Sequence, residues 1–208
     1  MKSFERLVLS HLRTLTNPLL DPLQFAYRAN MSVDDAVNMA LHFILQHLDS
    51  PGTYGRILFV HFSSAFNTII PSLLQDKLSQ LHVPDYVKLG KHVSDSRTIS
   101  TGSLQGCILS PLLFSLYTNS CTSSHQSVKL LKFADDTTLI GLISGGDESV
   151  YRWESDHLVT WCSQNNLELN GLKTVERDPP TPTTLCDFHV TTVDFFRFLA
   201  SIITQDLK

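Results

Sequence analysis

The segment from Lys129 to Gly141, KLLKFADDTTLIG, decides the fold that this sequence predicts. Apolar and β-branched residues lie on both sides of two adjacent acidic residues, Asp135 and Asp136, a pattern typical of two strands that reverse at an acidic tip. Two like charges side by side repel each other unless a positive group lies between them. The pair is therefore either an ordinary solvated turn, for which Asp is a common residue, or a site for a divalent metal ion.

The composition predicts a globular protein. The chain has 208 residues, of which 42% are hydrophobic, so it can bury a sizeable core as one domain or two small lobes. Its 16 Lys and Arg residues against 20 Asp and Glu residues give a net charge of −4, which is not the basic balance of a self-sufficient nucleic-acid-binding protein. A nucleic-acid partner would need a local basic patch.

The chain start and the cysteines favour an intracellular protein, nuclear or cytoplasmic. Met1 to Arg6 place a charge pair where a signal peptide or anchor would be apolar, and no apolar run is long enough to span a bilayer. The 4 cysteines lie far apart and show no Cys-x-x-Cys spacing. Reduced, mostly buried thiols are therefore expected rather than a zinc site.

Hydrophobic periodicity predicts an α+β order of elements. Arg56 to Phe62 is expected to be a central strand buried on both faces and the partner of the acidic hairpin. In the last helix, an apolar side is expected to include Trp153 and His157. Ser32 and Ser110 are expected to be helix N-caps, with Pro111 at the first helical position. The predicted helices are Phe4–Leu15, Val33–Leu48, Asn67–Leu81, Leu112–Tyr117 and Glu148–Asn165, followed by a strand at Leu167–Leu169 and a closing strand or hairpin at Phe195–Ile203.

Several motifs follow one another in a recognisable order along the chain. They are Gln24–Arg28, Phe59–Phe66, Gly102–Gly106 with Leu109–Pro111, Phe133–Asp136, Leu169–Thr174 and Phe196–Leu199. Together they resemble the fingers and palm motifs of reverse transcriptases from LINE-type non-LTR retrotransposons. The resemblance implies a polymerase palm, an antiparallel sheet backed by helices, with partial fingers and no thumb. It also implies partial fingers at 1–55, a palm at 56–175, and the palm end with a hairpin like the primer grip at 176–208.

The resemblance implies an RNA-directed DNA polymerase that joins dNTPs to a DNA primer on an RNA template. Two Mg²⁺ ions held by three carboxylates normally carry this nucleotidyl transfer. Asp135 and Asp136 match two of the carboxylates, and His61 occupies the third position, on a strand adjacent to Asp135 and facing it. A neutral imidazole is a poor ligand for Mg²⁺, which prefers oxygen. We therefore expect weak or lost Mg²⁺ binding and a defective polymerase; alternatively, His61 is a buried strand histidine unrelated to metal.

Further roles carry over from the resemblance residue by residue. Phe66 matches the aromatic gate that distinguishes deoxyribose from ribose, although a core aromatic explains it equally well. Gln105 and Gly106 match the loop that lets template and nucleotide approach the backbone. Lys173 matches the lysine near the leaving pyrophosphate, against an ordinary surface lysine. Phe198–Leu199 matches the primer grip, against a buried closing strand.

Departures from the family pattern predict a decayed or fragmentary copy. Leu104 stands where the family usually has proline, and Ala200 stands where it usually has glycine. The link over Val83–Leu89 lacks an aromatic-containing helix, and Val175–Pro179 is abbreviated. No endonuclease domain, thumb or zinc knuckle is recognised. The rival hypotheses are a non-catalytic nucleic-acid-binding or interaction module that keeps the palm fold, and an unstable relic.

Overall fold

The computed structural model describes residues 2–83, 88–89, 92–93, 107–177, 184–185, 188–193, 196–199 and 201–203. The helices are α1 (Lys2–Thr16), α2 (Val33–Leu48), α3 (Pro71–Gln80), α4 (Ser110–Tyr117) and α5 (Ser149–Gln164), with a 3₁₀ turn at Asn17–Leu19. The strands are β1 (Thr53–Val60), β2 (Phe62–Ser63), β3 (Lys88–Leu89), β4 (His92–Val93), β5 (Val128–Phe133), β6 (Asp136–Ser144), β7 (Glu168–Leu169), β8 (Val175–Arg177), β9 (Thr184–Leu185), β10 (Phe188–His189), β11 (Thr191–Val193), β12 (Phe196–Phe198) and β13 (Ser201–Ile203).

The main sheet has the strand order β11-β8-β1-β6-β5, with β1 at its centre. β1 pairs antiparallel with β6 from Thr53 opposite Ser144 to Val60 opposite Thr137. β5 and β6 form the hairpin that the sequence predicts, and Phe133 lies opposite Asp136 at its closed end. The predicted pairing of the apolar strand with the acidic hairpin is therefore confirmed, as is the α+β, palm-like fold.

The hairpin closes through a two-residue loop, Ala134–Asp135. Ala134 has a φ of 59°, whereas Asp135 is not among the residues of positive φ. A type I′ turn has a positive φ at both loop positions, whereas a type II′ turn has one at the first position only. The φ values therefore fit a type II′ turn. The turn leaves Asp135 beyond the ladder and makes Asp136 the first residue of β6.

Both faces of the sheet are buried, which explains the uninterrupted apolar run in β1. Leu58 and Val60 face one cluster, which includes Tyr151 and Leu158 of α5. Ile57 and Phe59 face the other cluster, which includes the α2 residues Ala36, Val37, Ala40 and Ile44. Because successive strand side chains alternate between faces, β1 packs helices on both sides.

The start of α2 follows the sequence prediction. The backbone N–H of Asp35 donates to Ser32 Oγ at 3.2 Å, and the backbone N–H of Ser32 donates to Asp35 Oδ2 at 2.7 Å. This reciprocal capping box satisfies amides that the first helical turn leaves unpaired. The accepted hydrogen bonds also lower the pKa of the Asp35 carboxyl.

Three predicted helix features are wrong in detail. α3 begins at Pro71 and not at Asn67, as expected for a proline in the first turn of a helix. The N-cap of α4 is Leu109, so Ser110 is already helical. Trp153 is 54% exposed and stacks on the exposed His157, because the buried side of α5 follows Tyr151, Ser155, Leu158 and Cys162 instead.

Other predictions have mixed outcomes. The closing segment is a hairpin, β12 with β13, as expected. Gln105, Gly106, Leu104, Ala200 and the abbreviated link at 84–87 lie outside the described residues. Cys107, Cys121 and Cys162 are free thiols, and burial raises the pKa of Cys121 to about 12. Among the described residues, no helix has the length and hydrophobicity needed to cross a membrane.

Candidate active site

His61 and Asp136 meet where β1 ends and β6 begins. The register that pairs Val60 with Thr137 brings the next residue, His61, opposite Asp136. His61 Nδ1 lies 3.1 Å from Asp136 Oδ1, and the two side chains are 32% and 43% exposed. The contact is an ion pair when the imidazole carries both of its protons.

The structure corrects the expectation that position 61 faces Asp135. Adjacent antiparallel strands are present as predicted, but the carboxylate that faces His61 belongs to Asp136. Asp135 lies in the two-residue loop, one position beyond the ladder. The loop geometry could not be read from the sequence, because a one-residue difference in turn length exchanges the two carboxylates.

A loop near Lys173 fixes the main chain of His61. The backbone N–H of Asn170 donates to the carbonyl of His61 at 2.8 Å, and the N–H of His61 lies 3.5 Å from Thr174 Oγ1. Lys173 lies in the same turn, where its own N–H donates to the carbonyl of Asn170 at 3.1 Å. The structure therefore brings the Lys173 loop beside His61, with an exposed Lys173 side chain.

Phe66 belongs to the hydrophobic core beside the site. Its ring contacts Phe114 with the centroids 4.8 Å apart and packs against the cluster formed with α5. This packing accounts for the residue type without a ligand. Its role as a gate for the sugar remains a prediction.

The Gln24–Arg28 segment reaches the other side of the hairpin. Gln24 forms a parallel bridge with Lys132 of β5, and the N–H of Phe25 donates to the carbonyl of Lys132 at 2.9 Å. The N–H of Lys132 donates in turn to the carbonyl of Leu23 at 2.9 Å. The segment thereby extends the sheet beyond β5 and runs toward the acidic tip.

Across the part of the chain described here, no three His, Cys, Asp or Glu side chains are close enough together to hold a metal ion. His61 and Asp136 form a pair, and Asp135 is the nearest further carboxylate along the chain. The group that faces Asp136 is thus an imidazole and not a carboxylate.

Comparison with known protein families identifies the family of this chain. The sequence profile described as "Reverse transcriptase (RNA-dependent DNA polymerase)" matches residues 1–196. This chain belongs to the reverse transcriptase family. The resemblance of its motifs to the enzymes of LINE-type non-LTR retrotransposons is confirmed by relatives from transposons.

Two of these relatives are from Drosophila melanogaster. The "Probable RNA-directed DNA polymerase from transposon BS" is 26% identical over 200 residues, which cover 84% of this reverse transcriptase chain and 22% of the relative. The corresponding protein from transposon X-element is 23% identical over 239 residues, which cover 99% of this chain and 26% of the relative. The chain thus spans about a quarter of the length of these relatives.

Solved telomerases share the fold of this reverse transcriptase chain. The telomerase of Candida albicans, solved with a fragment of telomeric RNA, is 16% identical, with a TM-score of 0.55 over 99% of this chain and 37% of its own. The apo telomerase of Candida tropicalis is 12% identical, with a TM-score of 0.56 over 99% of this chain and 41% of its own. At these identities the likeness establishes the fold.

The reverse transcriptase sheet also contains a buried network that the sequence motifs do not include. Arg56 Nε and Nη2 lie 2.9 Å and 2.8 Å from Glu176 Oε1, and Nη1 lies 2.6 Å from Glu148 Oε2. The Tyr151 hydroxyl donates to Glu176 Oε1 at 2.6 Å. Arg56, Tyr151 and Glu176 are fully buried. Burial raises the pKa of Tyr151 well above its ordinary value, and the charge of Glu176 raises it further.

A second buried ion pair joins the N-terminal segment to the hairpin. Lys132 Nζ lies 2.8 Å from Asp21 Oδ2, and both side chains are almost completely buried. The same ammonium donates to the carbonyls of Thr118 and Cys121 at 2.9 Å and 2.7 Å. A lysine within an apolar strand was the only sequence signal for this pair, because such a residue on a buried face must be charge-paired.

Proposed function

We propose that this chain is the reverse transcriptase domain of a LINE-type non-LTR element and that it is catalytically defective. The observation that carries the proposal is the contact of His61 Nδ1 with Asp136 Oδ1 at 3.1 Å, at the position expected for a metal-binding carboxylate. By family membership, its substrates are dNTPs, a DNA primer and an RNA template. The partial fingers, palm and end segment keep their predicted bounds of 1–55, 56–175 and 176–208.

The donor groups at the hairpin tip do not fit two Mg²⁺ ions. Mg²⁺ demands near-octahedral oxygen coordination and gives up its water reluctantly. His61 offers nitrogen, and its contact engages one oxygen of Asp136. Mg²⁺ should therefore bind weakly at Asp135 and Asp136, mainly through water. Without tightly held ions, the attacking hydroxyl and the leaving pyrophosphate both lose their electrostatic stabilisation.

The remaining residues still have assignable roles toward a nucleotide. Lys173 is exposed in the loop that bonds to His61, so it can approach a phosphate group without losing an internal partner among the described residues. Gln105 and Gly106 keep the template-side role implied by the family, and Phe66 keeps the role of sugar gate. A net charge of −4 provides little general attraction for phosphates, so duplex binding should be weak and should fall steeply with salt.

Primer extension tests the defect. Wild-type protein, His61→Asp and Asp135→Asn are assayed on a primed RNA template with dNTPs and Mg²⁺. Wild type should extend the primer no better than Asp135→Asn. His61→Asp supplies the missing anionic oxygen and should tighten Mg²⁺ binding in calorimetry, without restoring processive synthesis. Long products from the wild type, or tight binding of two Mg²⁺ ions to it, would contradict the proposal.

A second candidate function is nucleic-acid binding without catalysis. It is favoured by the contrast between the altered metal position and the intact docking of Gln24–Phe25 on Lys132, since the fold is retained where the chemistry has changed. Fluorescence anisotropy with a labelled RNA–DNA duplex, at low and high salt, measures this directly. Salt-sensitive binding together with absent primer extension would favour this function over polymerisation.

A further inference from the structure

We propose that one side of α1 is a binding surface for the phosphate backbone of single-stranded RNA. Three exposed residues form this side, Lys2, Arg6 and Arg13, and we call them the α1 cations. The choice of RNA rests on the proposed function, in which the domain holds an RNA template. The α1 cations supply the local basic surface that a chain with a net charge of −4 needs in order to hold a nucleic acid.

The α1 cations lie in one row along the helix. With about 3.6 residues per turn, positions 2, 6 and 13 fall within an arc of about 40° around the helix axis. The row is about 16.5 Å long, since each residue advances an α-helix by about 1.5 Å. A single strand is flexible, so its backbone can follow a straight row of charges.

The α1 cations are available to an external anion. Across the described residues, none of them forms an ion pair or a hydrogen bond. Glu5 is the only acidic residue of α1, and its Oε2 accepts hydrogen bonds from the backbone N–H of Ile108 at 2.9 Å and from Cys107 Sγ at 3.4 Å. These two hydrogen bonds lower the pKa of the Glu5 carboxyl, and the charge of Lys2 lowers it to a smaller extent. The carboxylate of α1 is thus occupied by the chain, whereas the cations are not.

Packing against α4 determines which side of α1 faces solvent. Leu9 and Leu12 pack against the cluster that contains Leu112 and Leu116 of α4, and Thr16 is fully buried on the same side of the helix. The α1 cations border this packed side. Because a rotation of α1 about its axis would expose the packed leucines, the row of charges keeps its orientation on the surface.

The exposed apolar residues of α1 lie on a different side of the helix. Phe4, Leu7 and Leu15 are 54%, 62% and 38% exposed, and they lie about 100° or more around the axis from the α1 cations. A basic helix that binds in a membrane interface buries its apolar side in lipid. A bilayer that held Phe4 and Leu7 would leave the α1 cations turned away from its surface. The arrangement therefore favours a strand of phosphates, which needs the cations alone, over a membrane.

Fluorescence anisotropy of a labelled oligouridine, measured over a range of KCl concentrations, tests the proposal. Each phosphate contact on a single strand contributes about 0.7 to the steepness of log K against log salt concentration. The triple variant Lys2→Gln/Arg6→Gln/Arg13→Gln should therefore have a slope shallower by about 2. Its binding at low salt should be about tenfold weaker, since each exposed charge contact contributes about twofold to threefold.

Matched controls separate the row from a general effect of charge. Arg152→Gln also removes one exposed positive charge, but from α5, where Arg152 Nη2 lies 2.7 Å from Glu148 Oε2. This variant should bind oligouridine as the wild type does, whereas Arg6→Gln should make the slope shallower by about 0.7. Leu7→Gln changes the exposed apolar side and should leave RNA binding unchanged. Circular dichroism verifies that each variant is folded.

Several outcomes would overturn the inference. They are an absence of oligouridine binding by the wild type, an unchanged salt slope in the triple variant, and an equal loss in Arg152→Gln. Tighter binding of single-stranded or duplex DNA of the same length would overturn the choice of RNA, and binding of phosphatidylserine vesicles in place of oligouridine would assign the surface to a membrane.

Primer extension tests the domain assignment separately. Long products from the wild type would contradict the proposed catalytic defect and leave the α1 surface standing. Unchanged oligouridine binding by the triple variant would refute the α1 surface and leave the domain assignment standing.

Discussion

β1 carries Arg56 in its middle and leads into His61 at its end, and the two side chains meet opposite surroundings. Arg56 is fully buried between Glu148 and Glu176, and its nitrogens lie 2.6–2.9 Å from their carboxylate oxygens. His61 and Asp136 meet at 3.1 Å, and each side chain is about one-third exposed or more. One group of charges is closed to solvent and the other is open to it.

The different exposure of the two sets of charges has a physical reason. A charge taken out of water is tolerated only when it is paired and hydrogen-bonded. Arg56 meets this condition through Glu148 and Glu176, although Glu176 Oε2 has no hydrogen-bond partner among the described residues. The acidic tip keeps its contact with water, so it can tolerate two adjacent carboxylates and can exchange water for a ligand. The network therefore stabilises the fold, whereas the tip remains accessible to the ligand that the proposed function assigns to it.

Removal of the buried cation should have the largest effect on stability. Arg56→Met keeps much of the side-chain volume but leaves Glu176 unpaired in the core, so the free energy of unfolding should fall by about 3–5 kcal/mol. Urea denaturation followed by circular dichroism measures the change. In the double variant Arg56→Met/Glu176→Met, no buried charge remains at Glu176, and part of the loss should be recovered. A double variant less stable than the single variant would show that the unpaired charge of Glu176 is not what destabilises Arg56→Met.

The packing over the network should have the next largest effect. A Cβ on Gly141 would lie 2.4 Å from Cδ2 of the fully buried Tyr151, so Gly141→Ala must displace the ring that bonds to Glu176. We expect a loss of about 1–3 kcal/mol, as for other overpacked cores. Gly55→Ala is the matched control on the neighbouring strand, because its Cβ would lie 3.7 Å from Ile44 Cγ2, an ordinary contact. Equal effects of the two substitutions would contradict the steric explanation.

Acid should weaken the stabilisation that the buried charges around Arg56 and Glu148 provide. Burial by itself would raise the pKa of Glu148, but the hydrogen bond from Tyr54 and the charges of Arg56 and Arg152 lower it below its ordinary value of 4.5. Because the folded pKa is below the unfolded pKa, this stabilisation is present above about pH 4.5 and is lost as the pH falls through the folded value. Denaturation midpoints measured between neutral and acidic pH should decline, and Glu148→Gln should reduce the slope. An unchanged slope in this variant would assign the acid sensitivity to other carboxylates.

Loss of a charge from the exposed His61–Asp136 pair should have the smallest effect on stability. Asp136→Asn removes the ion pair with His61, but both side chains remain partly in water, so stability should change by less than about 1 kcal/mol. The same urea titration measures it alongside Arg56→Met. A loss as large as that of Arg56→Met would mean that the tip is structural, and the contrast between the two groups would disappear.

Local patterns account for the parts of the fold that the sequence predicted. The capping residues Ser32 and Asp35 lie three positions apart, and the strands around Asp135 and Asp136 are joined by a short turn, so their partners are visible in a short window. The sequence predicts Ser110 as an N-cap, whereas Leu109 has that position, because a serine at a helix start fits both places. Residue type predicts Trp153 on the apolar side, whereas the packing of α5 follows Tyr151 and Leu158.

Long-range partners explain what the sequence could not show. Arg56 is separated from Glu148 by 92 positions and from Glu176 by 120, so nothing in its own segment distinguishes it from a solvated arginine at a strand start. The family resemblance groups His61 with the two aspartates and predicts that it faces Asp135, whereas the register of β1 and β6 brings it opposite Asp136. The roles of Gln105, Gly106 and Lys173 in catalysis, and of the two aspartates in metal binding, remain predictions.

The central place of β1 has a consequence for how the protein is made. Its neighbours in the sheet are β6 and β8, whose partners for Val60 and Leu58 are Thr137 and Glu176, far later in the chain. A ribosome adds about 5–20 residues per second, so β6 and β8 are synthesised several seconds after the apolar strand β1. During that interval its unpaired edges are open to association with other chains. The nascent protein should therefore depend on chaperones until β6 has emerged.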